Sequence, residues 1–205
     1  MKSLDKVISK IEAELDEKDQ VREIALKSSR AVVRLSGSIL RGLHRGDKVD
    51  SGLEEVRDEA SRLSSLLADH PELQNAGYVE AAFQEFAEVG IIMSILERDD
   101  VPAPEAIGVG SVPYVLGLGD VVGELRRFCL SELKGGNVAK ANHYLELMED
   151  IFAALMRFDY PDAIVAVRRK QDVARSMLEK TRGEVAVATS ARNLQETLEA
   201  MMKKG

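Results

Sequence analysis

The chain has 205 residues, a net charge of −7, 45% hydrophobic and 31% charged residues, values that suit one globular domain over 1–205. That acidic balance excludes a surface that coats nucleic acid indiscriminately, because phosphate binding rests on Lys and Arg. A single Cys129 excludes an internal disulfide, the charged amino terminus does not read as a signal peptide, and no apolar run approaches the roughly 20 residues that span a bilayer; a cytoplasmic protein without membrane contact is expected.

Aromatic residues reach only 4%, Trp is absent and there are 5 Pro, which favours an all-α chain over a β-sandwich. The first predicted helix runs over about 4–46, on apolar positions from Leu4, Val7, Ile8, Ile11 and Leu15 through Val32, Ile39 and Leu43, with Gly46 as its stop. Asp50 or Ser51 caps a second helix that runs to about 68. Pro71 opens a third that reaches about 98, its end from Val89 to Leu96 apolar nearly all round and so expected to be buried. Three prolines and two glycines make 99–113 the clearest loop. A fourth helix ends at Gly135-Gly136, a fifth covers about 137–157, a sixth about 161–182 closes at Gly183, and an amphipathic piece follows over 190–204. The expectation is a single bundle of about seven helices. The terminal stripe of Leu194, Leu198, Met201 and Met202 reads equally as monomer core or as a face docked on a neighbouring subunit.

Charge is unevenly distributed. Residues 21–46 carry Arg22, Lys27, Arg30, Arg34, Arg41 and Arg45 against one acid, Glu23, and the next stretch reverses the balance. Arg30, Arg34, Arg41 and Arg45 share one side of the first helix, a strip suited to phosphate unless acids such as Glu54 or Glu55 neutralise it. Arg126 and Arg127 adjoin the acids of the fourth helix, where a cation clamp for phosphate would be useful.

The chemistry concentrates in four carboxylates. Glu85 and Glu88 are three apart in FQEFAEVG, and Asp120 and Glu124 four apart in GLGDVVGELRR, so each pair shares a helix face. If the two helices face each other, these oxygens form a cage for a hard divalent ion, of the kind that activates water and neutralises a leaving group in phosphodiester cleavage. The other reading is a solvated face. Asp120 and Glu124 lie opposite the stripe Val115, Leu118, Val122, Leu125 and Cys129, but Glu85 and Glu88 lead into Ile92 and Ile95, and Leu116 and Phe128 flank the second pair. Acids at the edge of a buried face need a partner, a proton or a metal.

Other chemistry is poorly supported. His44, His70 and His143 have no Glu three residues before them, which argues against a di-iron bundle, and there is no HExxH, CxxC or P-loop. Gly117 and Gly119 lack the third glycine of a dinucleotide fingerprint and sit on a helix, where close helix packing explains them better.

Taken together, REIALKSSR…LRGLHR, FQEFAEV, PYVLGLGDVVGELRR and LEKTRGE make the sequence resemble the translin family from about 20 to 185, closer to its translin-associated factor X (Trax) branch than to translin itself. The resemblance implies an all-α fold and a closed, roughly octameric shell around nucleic acid, in which Trax-type subunits are metal-dependent endoribonucleases. It places their catalytic and metal-binding acids on Glu85, Glu88 and Asp120, with Glu124 as a fourth ligand or supporting group, and Mg²⁺ or Mn²⁺ as cofactor. The short amino terminus and short 99–113 loop depart from animal Trax proteins and fit a compact prokaryotic homologue that assembles alone as a homo-oligomer. RNA is the expected partner, with single-stranded DNA open as well. A non-catalytic, translin-like shell binding single-stranded RNA or DNA is the competing expectation.

Overall fold

A computed structural model describes residues 2–203 and shows eight helices with, among those residues, no strand. They are α1 (Lys2–Arg45), α2 (Asp50–Leu67), α3 (Pro71–Gln74), α4 (Gly77–Arg98), α5 (Pro104–Ile107), α6 (Ser111–Lys134), α7 (Val138–Leu155) and α8 (Arg168–Met202). The all-α expectation holds.

Helices α4 and α6 form the middle of the molecule. Helix α4 packs on α1 and α6, α2 backs α1, and α7 and α8 cover the other side of α6. Their sequences dictate this placement. Ala25, Val32 and Ile39, at steps of seven, give α1 one buried seam, whereas α4 buries Ala82, Phe86, Val89, Ile92 and Ile95, and α6 buries Val115, Leu118, Val122, Leu125 and Cys129. Of the end expected to be buried, Val89 to Leu96, Val89, Ile91, Ile92 and Ile95 are buried, while Gly90, Met93, Ser94 and Leu96 are half-buried. Among the described residues no helix is long and apolar enough to cross a membrane.

The boundaries differ from expectation in four places. The third predicted helix breaks at Asn75-Ala76 into α3 and α4. The 99–113 loop contains α5, and it is pinned: Ile107 packs on Gly90, and the Tyr114 hydroxyl donates to the Pro102 carbonyl at 2.6 Å. Most consequentially, Gly183 does not stop a helix. It lacks the left-handed φ of Gly46, Gly108 and Gly136, and α8 runs straight through it. The Arg126 guanidinium donates to Thr181 at 2.5 Å and to Glu184 at 2.7 and 2.9 Å, gripping α8 on both sides of that glycine. The stretch 161–167 is not helical; it inserts Val165 and Val167 into the core with Ala166 exposed between them.

Both long helices overrun the core. Leu4, Val7, Ile8, Ile11 and Leu15 on α1 are exposed, as are Leu194, Leu198, Met201 and Met202 on α8. The terminal Leu/Met stripe is therefore not part of the monomer core.

The closest approach in the middle of the bundle is at Gly117. A Cβ there would stand 2.7 Å from the Gln84 carbonyl oxygen, 3.0 Å from the Ala87 Cβ and 3.1 Å from the Glu88 nitrogen. Backbone cannot give way cheaply, so Gly117→Ala drives α4 from α6 and costs about 1–3 kcal/mol. Urea unfolding checks this: the midpoint falls with an unchanged slope, and an unchanged midpoint contradicts the contact.

Candidate functional site

The tight contact at Gly117 sets the two acidic pairs beside each other. One turn along α4 from Gln84 lies Glu88, and three residues along α6 from Gly117 lies Asp120. Glu88 is only 6% exposed and, among the described residues, has no hydrogen-bond or ion-pair partner. Burial chiefly, then the neighbouring charges of Asp120, Glu85 and Glu124, push its carboxyl up to about 8, with Lys170 opposing. Glu85 is raised too, first by burial and then by Asp120, with Lys170 pulling down and Glu124 adding. All four acids singled out from the sequence thus act on one another across the α4–α6 interface.

Two of the four are already engaged. Asp120 accepts from the Gln84 amide at 2.6 Å through one oxygen and from the Lys170 ammonium at 2.5 Å through the other. Glu124, buried, meets the His44 Nε2 at 2.5 Å and the Arg127 guanidinium at 2.9 Å. His44 in turn stacks on Phe128 with ring centroids 4.2 Å apart. In this arrangement no three His, Cys, Asp or Glu side chains among the described residues form a ready ligand set for an ion. The oxygens available to one are those of Glu85 and Glu88, and of Asp120 once its donors turn away. A hard cation suits this donor set, and it would relieve the partnerless Glu88 carboxylate.

The arginines divide. Arg30, Arg34 and Arg41 are exposed and, among the described residues, form no ion pair with Glu54, Glu55 or any other acid. Arg45 pairs with Asp47 at 2.6 Å in the open, a contact of little energetic weight. Arg127 leans on Glu124 yet remains largely exposed. Arg126 is different: its bidentate grip on Glu184 and its bond to Thr181 make it a strut between α6 and α8, which removes it from the cations free to meet phosphate.

Sequence reasoning did not assign three side chains of this site. His44 follows Arg41 by three residues on the same face of α1, so the strip of arginines leads to the acids through it; that spacing was a usable signal. Gln84 adjoins Glu85, and its role appears only with the α4–α6 contact. Lys170 reaches Asp120 from 50 residues away, which no local pattern reveals.

A sequence profile of the translin family matches residues 3–185. A protein of Methanocaldococcus jannaschii, described as uncharacterised, is 37% identical over 188 residues, covering 90% of this chain and 83% of that one. Among solved structures, apo-NeC3PO superposes with a TM-score of 0.80 at 22% identity, over 88% of this chain and 96% of the other, a likeness of fold. The AfC3PO–duplex RNA complex superposes with a TM-score of 0.75 at 28% identity, over 90% and 97%.

The raised Glu88 has a consequence for stability. The folded chain keeps that proton up to about 8, whereas the unfolded chain releases it near 4.5. Between those values the folded state binds more protons, so stability falls as pH rises through the window. In chelator, thermal melts of the wild type should decline from about pH 5 to about pH 8.5, and Glu88→Gln should flatten the curve. Parallel curves for the two proteins contradict the partnerless carboxylate.

Proposed function

The chain belongs to the translin family, and from that premise we propose that it is a Mg²⁺-dependent endoribonuclease of the Trax type, working within a homo-oligomeric, roughly octameric shell. The observation that carries this reading is Glu88, a buried side chain without a hydrogen-bond or ion-pair partner among the described residues, set among three other acids at the end of the arginine strip. Four acids on one interface are costly to a fold unless a cation, a proton or a task accounts for them. The duplex RNA bound by AfC3PO supports RNA as the polyanion this chain meets.

Glu85, Glu88 and Asp120 would hold the divalent ion, or a pair of them. When bound, such an ion lowers the pKa of water and stabilises the charge that develops on a phosphodiester. The chain's own residues do the rest. Arg30, Arg34 and Arg41 bind the strand by its phosphates, and the strip delivers it toward His44 and the acids. His44 and Arg127 each hold one oxygen of Glu124, which orients that carboxylate beside the site. With 4% aromatic residues there are few platforms for stacked bases, so strandedness and shape should govern cleavage more than sequence. The exposed apolar ends of α1 and α8 support assembly, since faces of this kind bury against neighbouring copies.

A second reading, a binding shell without catalysis, draws on one observation: Lys170 and Gln84 occupy both oxygens of Asp120. End-labelled RNA incubated with Mg²⁺ separates the two. The wild type should cut, and Asp120→Asn should cut at least about a hundredfold more slowly while still binding RNA in a salt-sensitive way. Equal cutting by both proteins removes the proposed site, and intact, shifted RNA in both supports the binding shell.

A further inference from the structure

Lys170 sits where a divalent cation would have to act. Its ammonium lies 2.5 Å from Asp120, and its charge reaches both Glu85 and Glu88, so among the described residues it is the cation of α8 that balances these acids of α4 and α6. Its aliphatic stem runs along Gly119, where a Cβ would meet the Lys170 Cβ, Cγ and Cδ at 2.8, 3.1 and 3.4 Å. That stem edges a groove of about 350 Å³ between α6 and α8, floored by Gly119 and Gly123 and flanked by Val173 and Met177. Arg169, on the same groove, is exposed and has no acidic partner among the described residues.

We infer that Lys170 is a two-position cation: it holds Asp120 when no divalent ion is bound, and turns into the α6–α8 groove onto a backbone phosphate of RNA when one is. The inference rests on the nuclease reading in taking Asp120 as an ion ligand. An ion on Asp120 brings two positive charges beside the ammonium, and like charges at such range repel strongly in a half-buried site. Lysine yields readily, being a point charge on a flexible four-carbon stem. Beside it the groove offers Arg169, so a phosphate entering there meets two cations against one acid edge, Asp120, which the divalent ion has by then neutralised. The consequence is thermodynamic: the divalent ion and RNA bind cooperatively, each strengthening the other by the same factor.

The test uses the full chain, a fluorescent RNA duplex with phosphorothioate links that resists cutting, and Mn²⁺ as the ion. Fluorescence anisotropy gives RNA affinity with and without Mn²⁺, and electron paramagnetic resonance gives Mn²⁺ affinity without RNA. Mn²⁺ should raise the wild type's RNA affinity about tenfold or more, within the usual range of coupling between sites. Lys170→Met should lose most of that gain while binding Mn²⁺ at least as tightly as the wild type, and Lys170→Arg should restore the gain. The inference is overturned if Lys170→Met keeps the full gain, or if it loses Mn²⁺ binding with helicity and melting unchanged, since Lys170 would then be a strut for Asp120. A wild type that binds no Mn²⁺ brings down the metal reading and this inference together; one that binds Mn²⁺ and cuts RNA while Lys170→Met keeps the gain brings down this inference alone.

Discussion

Helices α4 and α6 touch at a point where one of them has no side chain. The Gln84 carbonyl and the Glu88 amide lie against Gly117 at distances that only a hydrogen on its Cα tolerates. That contact fixes the register of the two central helices, and the register brings Glu85 and Glu88 into the field of Asp120 and Glu124. A looser crossing would let water between the acids and relax their mutual repulsion. The strain of gathering like charges is therefore built into the same interface that carries much of the core.

Charge balance explains what the rest of the molecule contributes. In a chain of net charge −7, several basic side chains are already committed: Arg126 to Glu184, Arg182 to Glu149, Arg22 to Asp19 and Glu23. Arg30, Arg34 and Arg41 form no ion pair among the described residues, and they share one face of α1 that ends at His44. On an acidic protein a basic track of this kind would favour a polyanion along that face. The track and the acids converge at the carboxyl-terminal end of α1, where His44, stacked on Phe128, touches Glu124.

Much of this was legible in the sequence, and the failures have physical reasons. Residues three and four apart on one helix must share a face, so the pairs Glu85/Glu88 and Asp120/Glu124 and the strip of arginines followed from spacing alone. The all-α fold followed from composition and apolar periodicity. Gly183 misled because a glycine ends a helix only when its φ turns positive, and the tertiary grip of Arg126 on Thr181 and Glu184 holds the helical φ instead. The same grip misplaced Arg126, whose position next to the acids said nothing of the partner waiting on α8. Lys170 lay beyond reach for a related reason: contacts between residues 50 apart depend on how α8 lies on α6, which no local spacing encodes.

The proposed activity requires that Glu85, Glu88 and Asp120 share a divalent ion across the α4–α6 interface. The most direct measurement is anomalous diffraction from crystals of the protein soaked with Mn²⁺. The expected result is a peak between the two helices within coordination distance of those three carboxylates, about 2.1 Å for an ion of this kind, with the Lys170 ammonium displaced from Asp120. A peak elsewhere on the molecule, or none between α4 and α6 in crystals that took up the ion, would contradict it.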